Sequence, residues 1–367
     1  MKVVQVIPHL ASGGAERFVV DLSNELLRNG QNVTILTFYD LEGKYGFYKK
    51  EIDKGIKLIS LHKSVGFSIK CLLQTFEIIK KEKPDIIHSH INSLQYTILP
   101  QLFLAHGVHT VHNEAQQEVH NKFEVALRKQ VFKYNLVQPV TISPQSHDSF
   151  VKFYRTEVPL INNGRAIIGD IIVSEDVRNE INSFRKTQNT KIIVQLARFQ
   201  RQKNIPMMAR VASRLYEVGY DFALLCIGTT ENKEIENEVR KQMPPCGHIL
   251  GERINPLEYL KEADAFALSS SFEGMPISLL EALAEGAVPV CTPVGGIPDV
   301  VKDGDNGFLS VDNTEASYYN AMKRFLDSDR SALKIMAQKA KDSFAPYSMS
   351  VCANQYLQLY KSLIDSK

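Results

Sequence analysis

Short apolar runs separated by amphipathic stretches set the pattern of this chain. Residues 2–7 read as a strand, residues 9–17 as a loop running into a helix that continues over 18–29, Gly30 as its stop, and 32–38 as a second strand. Such a β-α-β unit opens a parallel sheet. Helical spacing returns over 68–83, with Leu72, Leu73, Phe76 and Ile79 apolar and Lys70, Lys80, Lys81 and Lys83 basic. The pattern then predicts a strand at 84–90, a helix at 96–105, a strand ending near His112, and a strand over 137–143 whose Ser143 caps the next helix. Further strands are predicted at 190–196, 222–228, from His248, at 263–268 and at 288–292. Helical spacing closes the chain over 347–364.

The stretch 269–286 organises the rest. An apolar strand runs into Ser269-Ser270-Ser271-Phe272-Glu273-Gly274, and a helix begins after it. Pro276 suits a first helical turn, since it has no N–H to lose there, and Gly286 suits a left-handed stop. Ile277, Leu280 and Ala284 fall on one stripe of this helix, and Ser278, Glu281 and Glu285 on another. The strand's carboxyl end and the helix's amino end therefore address the same loop. In open α/β sheets that place holds ligands, and unpaired amides at a helix start favour anions.

A length of 367 residues suggests two domains, and 44% hydrophobic residues provide for sizeable cores. Net charge is +2, slightly basic before residue 165 and slightly acidic after it, so nucleic acid is not an expected partner. Cys71, Cys226, Cys246, Cys291 and Cys352 form no C-x-x-C pair, which predicts buried thiols in a reducing cytoplasm. The chain enters its first strand at once, with no signal peptide expected, and no apolar run approaches the length of a membrane span. The lysines of 68–83 suggest a solvated face or a weak peripheral membrane contact on the cytoplasmic side.

Glu273, seven residues, then Glu281, inside S-x-x-E-G-x-P-x-x-L-L-E-A-x-A-x-G, resembles the signature of the family 4 retaining glycosyltransferases. The resemblance extends along essentially the whole chain. It includes the Gly13-Gly14-Ala15-Glu16-Arg17 run and the Pro84–His90 strand. It also includes the 158–164 segment, where Arg165-Ala166 replace the usual apolar residue and Asp, Arg198 with Lys203, and Gly295-Gly296.

What this implies is an α/β protein of the GT-B fold. Two Rossmann-like parallel-sheet domains would face each other across a cleft: 1–165 for the acceptor and 166–344 for the nucleotide sugar, with a C-terminal helix over about 345–367 returning to the first. By the same resemblance Glu273 binds hydroxyls of the donor sugar and Glu281 the nucleotide ribose. Arg198 and Lys203 clamp the diphosphate. Gly13 and Gly14 face the donor phosphates, and the backbone at Arg253 and Ile254 meets the base. Gly274, Met275, Ile277 and Ser278 line the donor loop, and His112 reaches the sugar, with His90 as the alternative. Glu273, His112, Arg198 and Lys203 are the expected catalytic set.

The implied activity is a retaining transfer from a nucleoside diphosphate sugar, UDP rather than GDP, to a glycan or lipid-linked acceptor. Bacterial surface polysaccharide is the expected product, and no cofactor or metal is expected, because two fixed cations can stabilise the leaving diphosphate.

A dinucleotide site would use Asp40 after the second strand, but the first loop lacks G-x-G-x-x-G. A metal site could draw on His88, His90, His106, His109, His112 and His120, but none of these pairs has H-E-x-x-H spacing. A non-catalytic glycan-binding scaffold, an epimerase and a phosphorylase remain as alternative functions on the same fold.

Overall fold

The computed structural model describes residues 1–64, 66–119, 122–167, 169–229 and 233–366. The chain divides into two compact units: Met1–Ala166 with the tail from Tyr347, and Ile167–Pro346.

The first unit is built on β1 (Lys2–Ile7), β2 (Asn32–Thr37), β3 (Lys57–Ser60), β4 (Ile86–His90), β5 (His106–Val111) and β6 (Gln138–Thr141). All neighbours pair in parallel, in the order β3-β2-β1-β4-β5-β6. The connecting helices are α1 (Gly14–Arg28), α2 (Ile69–Glu82), α3 (Leu94–Phe103), α4 (Lys122–Lys133) and α5 (Pro144–Tyr154). Val3, Phe18, Leu22 and Val33 pack on one face of the sheet, and Val4, Val6, Ile79 and Tyr96 on the other. Each fully buried aliphatic side chain contributes about 1.5–3 kcal/mol.

Local chemistry sets the helix ends. The Ser68 hydroxyl accepts from the Cys71 amide at the start of α2, and Lys83 closes that helix in the left-handed region. Ser143 and Ser146 form a capping box ahead of α5, as the sequence predicts. α1 begins at Gly14, so the Gly13-Gly14 pair is itself the strand-to-helix junction.

The second unit repeats the plan. β7 (Lys191–Leu196), β8 (Phe222–Ile227), β9 (Gly247–Gly251), β10 (Ala265–Leu268), β11 (Val288–Cys291) and β12 (Phe308–Leu309) form a parallel sheet in the order β12-β11-β10-β7-β8-β9. Its helices are α6 (Glu175–Ser183), α7 (Ile205–Glu217), α8 (Lys233–Gln242), α9 (Pro256–Lys261), α10 (Ile277–Glu285), α11 (Ile297–Val300), α12 (Glu315–Asp327) and α13 (Arg330–Asp342). In each sheet the order reverses once, between β1 and β4 and between β7 and β10. The crevices that such reversals open lie at the strands' carboxyl ends.

The last helix, α14 (Met349–Asp365), packs on α1 in the first unit, burying Met349, Cys352, Tyr356 and Tyr360. The chain's two crossings between units lie side by side, since the Arg165 amide donates to Tyr347 O (3.0 Å) and the Met349 amide to Arg165 O (3.1 Å). Arg165, where the family's usual pattern breaks, is buried. It donates to Asp21 Oδ2 at 2.7 Å, while Asp21 Oδ1 receives Arg17 at 2.6 Å. All five cysteines are buried and free.

Asp21 thus joins α1 to the segment that leaves the unit. Removing one partner of a buried ion pair costs about 3–5 kcal/mol, because charge is left behind in the interior. Asp21→Ala should lower the unfolding free energy read from urea titration by that order, whereas Arg28→Ala, at an exposed pair, should leave it nearly unchanged.

Candidate active site

Two loops meet at the β7/β10 reversal. The Ser271 amide donates to Gln202 O (2.8 Å), and the Ser269 hydroxyl to Lys203 O and Asn204 O (3.1 and 3.0 Å). This stitching brings Lys203 and Glu273 together. Lys203 Nζ lies 2.5 Å from Glu273 Oε1, with both side chains largely buried. The Ser270 hydroxyl donates to the same carboxylate oxygen, and Gln202 Nε2 donates to Phe272 O (2.9 Å).

Two glycines let the surrounding backbone approach. A Cβ on Gly295, whose φ is +64°, would stand 2.3 Å from Glu273 O. The neighbouring Gly296 amide donates to Gly274 O at 2.6 Å. A Cβ on Gly228, φ +149°, would stand 2.0 Å from Ala197 O, at the root of the Arg198 loop. Gly228, Gln202 and Ser270 are the supporting residues that sequence reasoning missed. Gly228 follows β8, as a glycine needed for close approach does.

Arg198 is exposed, with no acidic partner among the described residues. α10 begins at Ile277, one residue later than the sequence suggests. Pro276 takes an extended ψ of 122° and sits before the first turn instead of within it. The first helical amides of α10, Ile277 and Ser278, make no backbone bond within the helix, while those of Leu279 and Leu280 bond Pro276 O. Met275 and Glu281 are buried, Glu281 one turn into the helix.

Arg253 lies elsewhere in the unit, on the loop after β9, where its side chain is already engaged. It donates to Glu180 (2.8 Å) and to the Tyr259 hydroxyl (3.0 Å); burial works against its charge, and these bonds outweigh it, so its pKa is raised. Besides backbone, the loop presents the exposed side chains of Glu252 and Ile254, the latter 95% exposed.

In the first unit, the carboxyl ends of β4 and β5 carry a buried imidazole chain. Gln5 Oε1 lies 2.7 Å from His90 Nε2, and His90 Nδ1 lies 3.0 Å from His112 Nε2. A carbonyl oxygen only accepts, so His90 carries its proton on Nε2, His112 donates from Nε2, and His112 Nδ1 is left as an acceptor. His88 bridges Tyr360 and Thr110 at 2.7 Å each, and Thr110 reaches Tyr356 at 2.8 Å, which ties α14 to this strand pair. Burial holds these rings neutral. His112 is pushed down to about 4 by burial, only partly offset by Glu118, and His88 and His90 also lie well below the usual imidazole range through burial. Near the β1/β4 reversal, the space a Gly13 side chain would take is filled by the Glu16 carboxylate, and Arg17 is engaged by Asp21 and Glu51. His120 lies outside the described residues.

Among the described residues no group of three or more His, Cys, Asp and Glu is placed to hold a metal ion. The string Asp303-Gly304-Asp305 has D-x-D spacing, but Asp303 is bound by Arg324 (2.7 Å) and Asp305 by Lys339 (2.6 Å) on the far edge of the sheet, beside β12. Among the described residues no helix is long and apolar enough to cross a membrane.

Residues 12–168 match the family model described as Glycosyltransferase Family 4, and residues 176–343 the model described as Glycosyl transferases group 1. The chain belongs to the family 4 glycosyltransferases. It is 25% identical over 329 residues to the Escherichia coli UDP-Gal:alpha-D-GlcNAc-diphosphoundecaprenol alpha-1,3-galactosyltransferase, covering 84% of this chain and 81% of that one. It is 26% identical over 352 residues to the amylovoran biosynthesis glycosyltransferase AmsD of Erwinia amylovora, covering 92% of each. Among solved structures, Anabaena HepE in complex with UDP and glucose matches with a TM-score of 0.80 at 16% identity over 99% of this chain and all of that one. The fold of this glycosyltransferase is therefore GT-B.

Two measurements check the geometry. Gly228→Ala should displace the Arg198 loop and cut transfer at least tenfold, more than its loss of stability explains; an active, well-folded variant would remove Gly228 from the site's support. The histidines give a pH signature. An unfolded chain protonates His112 near pH 6.5, but the fold does not until about pH 4. Stability is thus full above about pH 6.5 and declines as the pH falls toward 4, by about 2 kcal/mol at pH 5 from His112 alone. The loss of unfolding free energy between pH 7.5 and 5, read from urea titrations, should be smaller in His112→Gln than in wild type by that order.

Proposed function

We infer that this glycosyltransferase moves a sugar from a nucleoside diphosphate donor, UDP-sugar in preference, to a glycan or lipid-linked acceptor of bacterial surface polysaccharide. Transfer proceeds with retention and without a divalent metal. The observation that carries the reading is the loop pair at the β7/β10 reversal, where an unpaired arginine, a lysine–glutamate pair and open helix amides share one edge. The names of the E. coli and Erwinia relatives support the acceptor class, and the first of them supports UDP.

In this reading the donor's bond from C1 to phosphate oxygen breaks while the acceptor oxygen bonds C1 on the same face. The acceptor's proton passes to the leaving phosphate. Arg198 and the Ile277 and Ser278 amides stabilise the charge that grows on that diphosphate. Lys203 enters differently, because Glu273 already neutralises it. The pair is a hinge of charge: a phosphate that draws Lys203 leaves Glu273 free to accept from sugar hydroxyls. Glu281 takes the ribose, the backbone of Arg253 and Ile254 takes the base, and His112 offers Nδ1 to the sugar. The resemblance assigns Gly13 and Gly14 to the donor phosphates.

The two glutamates should fail differently. Glu281→Gln should weaken free UDP by roughly 1.5–3 kcal/mol through loss of a charge-assisted bond. Glu273→Gln should leave UDP affinity nearly intact and damage transfer. Equal loss of UDP affinity in both, measured by calorimetry, would overturn this assignment, and transfer unaffected by either would favour the scaffold reading.

Metal independence is tested by turnover in excess chelator, which should persist; activity abolished by chelator and restored by manganese refutes it. Arg198→Ala should weaken UDP more than Lys203→Met does, since only Arg198 is unpaired beforehand.

A further inference from the structure

His112 is held through its backbone as well as through its ring. Glu118 ends the single 3-10 turn Ala115–Glu118, which follows β5. Its Oε1 accepts from the His112 amide and, at 3.2 Å, from the Asn113 amide. One carboxylate oxygen thus gathers the first two amides beyond the strand and fixes the direction in which the His112 side chain leaves the backbone. Bonds from N–H to an ionised oxygen are roughly twice as strong as neutral ones.

The other oxygen of Glu118 faces a buried cation. Arg128, on α4, places Nη1 3.4 Å from Glu118 Oε2 and Nη2 2.9 Å from Glu124 Oε1. Glu118 and Arg128 are both buried, where a carboxylate stays charged only beside a cation. His109 meets the same group from β5 and adds no charge. The Ser89 hydroxyl donates to Val108 O at 3.1 Å, so His109 Nδ1, 2.9 Å from that hydroxyl, is the donor to it. His109 Nε2 is then an acceptor, 3.4 Å from Arg128 Nη1. Within this cluster Oε1 holds the loop, and Arg128 keeps the carboxylate ionised.

Among the described residues the His112 ring is bonded at Nε2 alone, to His90, and Phe18 meets it edge-on at 5.5 Å. A ring held at one nitrogen can pivot about that bond. Fixing its own amide and the next one removes the freedom. We propose that Glu118 is the positioning residue for His112 and that Arg128 acts through Glu118. This deepens the reading in which His112 Nδ1 meets the donor sugar, and it rests on that reading. A misplacement of about 1 Å at such a group costs up to about a hundredfold in rate.

Two double variants of the full chain separate positioning from charge. Glu118→Gln with Arg128→Met removes both charges and keeps a carbonyl oxygen for the two amides. Glu118→Met with Arg128→Met removes that oxygen as well. The first readout is the ring-nitrogen magnetic resonance spectrum of the histidines without ligand. Wild type and the first double variant should show His112 as one tautomer, protonated at Nε2. The second, folded by circular dichroism, should show it averaged between two. Glu118→Asp keeps the charge and shortens the reach, and should show the same averaging in smaller degree should the second variant not fold. UDP affinity by calorimetry should be unchanged in all of them.

The second readout is UDP released from UDP-galactose and UDP-glucose. His112→Ala and the second double variant should each lower it by up to about a hundredfold. Combined, they should lower it no further than either alone, since both act through one group. A wild-type His112 spectrum in the second double variant and in Glu118→Asp overturns the proposal. So does a loss that multiplies with that of His112→Ala, because damage to the fold alone would multiply. Release lowered by His112→Ala and not by the second double variant removes the positioning alone. Release unchanged in His112→Ala refutes the sugar contact itself, and with it any bearing of Glu118 on transfer.

Discussion

The contact between Lys203 and Glu273 depends on more of the second unit than any other at the site. Lys203 ends a single 3-10 turn, Arg201–Lys203, and Glu273 lies in irregular backbone. Each hangs from a loop, and the loops are fixed only because β7 and β10 are neighbours at the one place where the sheet order reverses. Parallel pairing sets the two strand ends level, and the serine and backbone bonds between the loops then close the gap to 2.5 Å. A largely buried carboxylate would be costly to hold charged without its cation, and the cation without its carboxylate. The pair is thus both a structural clasp and a store of opposed charge. In the function proposed above, a diphosphate reapportions that charge.

The first unit solves a different problem with neutral groups. His88, His90 and His112 sit where a charge would be costly, and their ring nitrogens meet hydroxyls, an amide and one another. Such a chain fixes which nitrogen donates without fixing a charge, so His112 is an oriented dipole rather than a cation. α14 takes part, because Tyr356 and Tyr360 complete the hydrogen bonds of Thr110 and His88. The return of the C-terminal helix therefore bears on the tautomers of the strand ends as well as on the hydrophobic core.

Strands were legible because buried parallel strands are apolar nearly throughout: β1 spans the residues 2–7 that the sequence predicts, and β7, β8, β10 and β11 fall within two residues of expectation at each end. The short β3, with only partly buried or exposed positions, carries no such run and was not predicted. The E-x7-E stretch was legible because strand, loop, proline and helix are contiguous there. The partnership of Lys203 with Glu273 was not, since seventy residues separate them and only the sheet order joins them. Gly228 was passed over for the same reason. A glycine after a strand looks like any turn until the carbonyl of Ala197 is known to lie against it.

Arg165 shows how a departure from a family pattern can be absorbed. An arginine where the pattern has an apolar residue would leave a cation at the unit's exit. Here Asp21, on α1, has an oxygen left over after binding Arg17, and Arg165 takes it along with its own neighbour's amide. The exit segment is anchored by charge on one side and by the bonds to Tyr347 and Met349 on the other. A feature that reads as a defect in the linear pattern becomes the knot where both crossings of the chain are tied. The residue to compare with Arg165 is therefore Asp21, on the first helix, rather than the aspartate that the pattern places next to it.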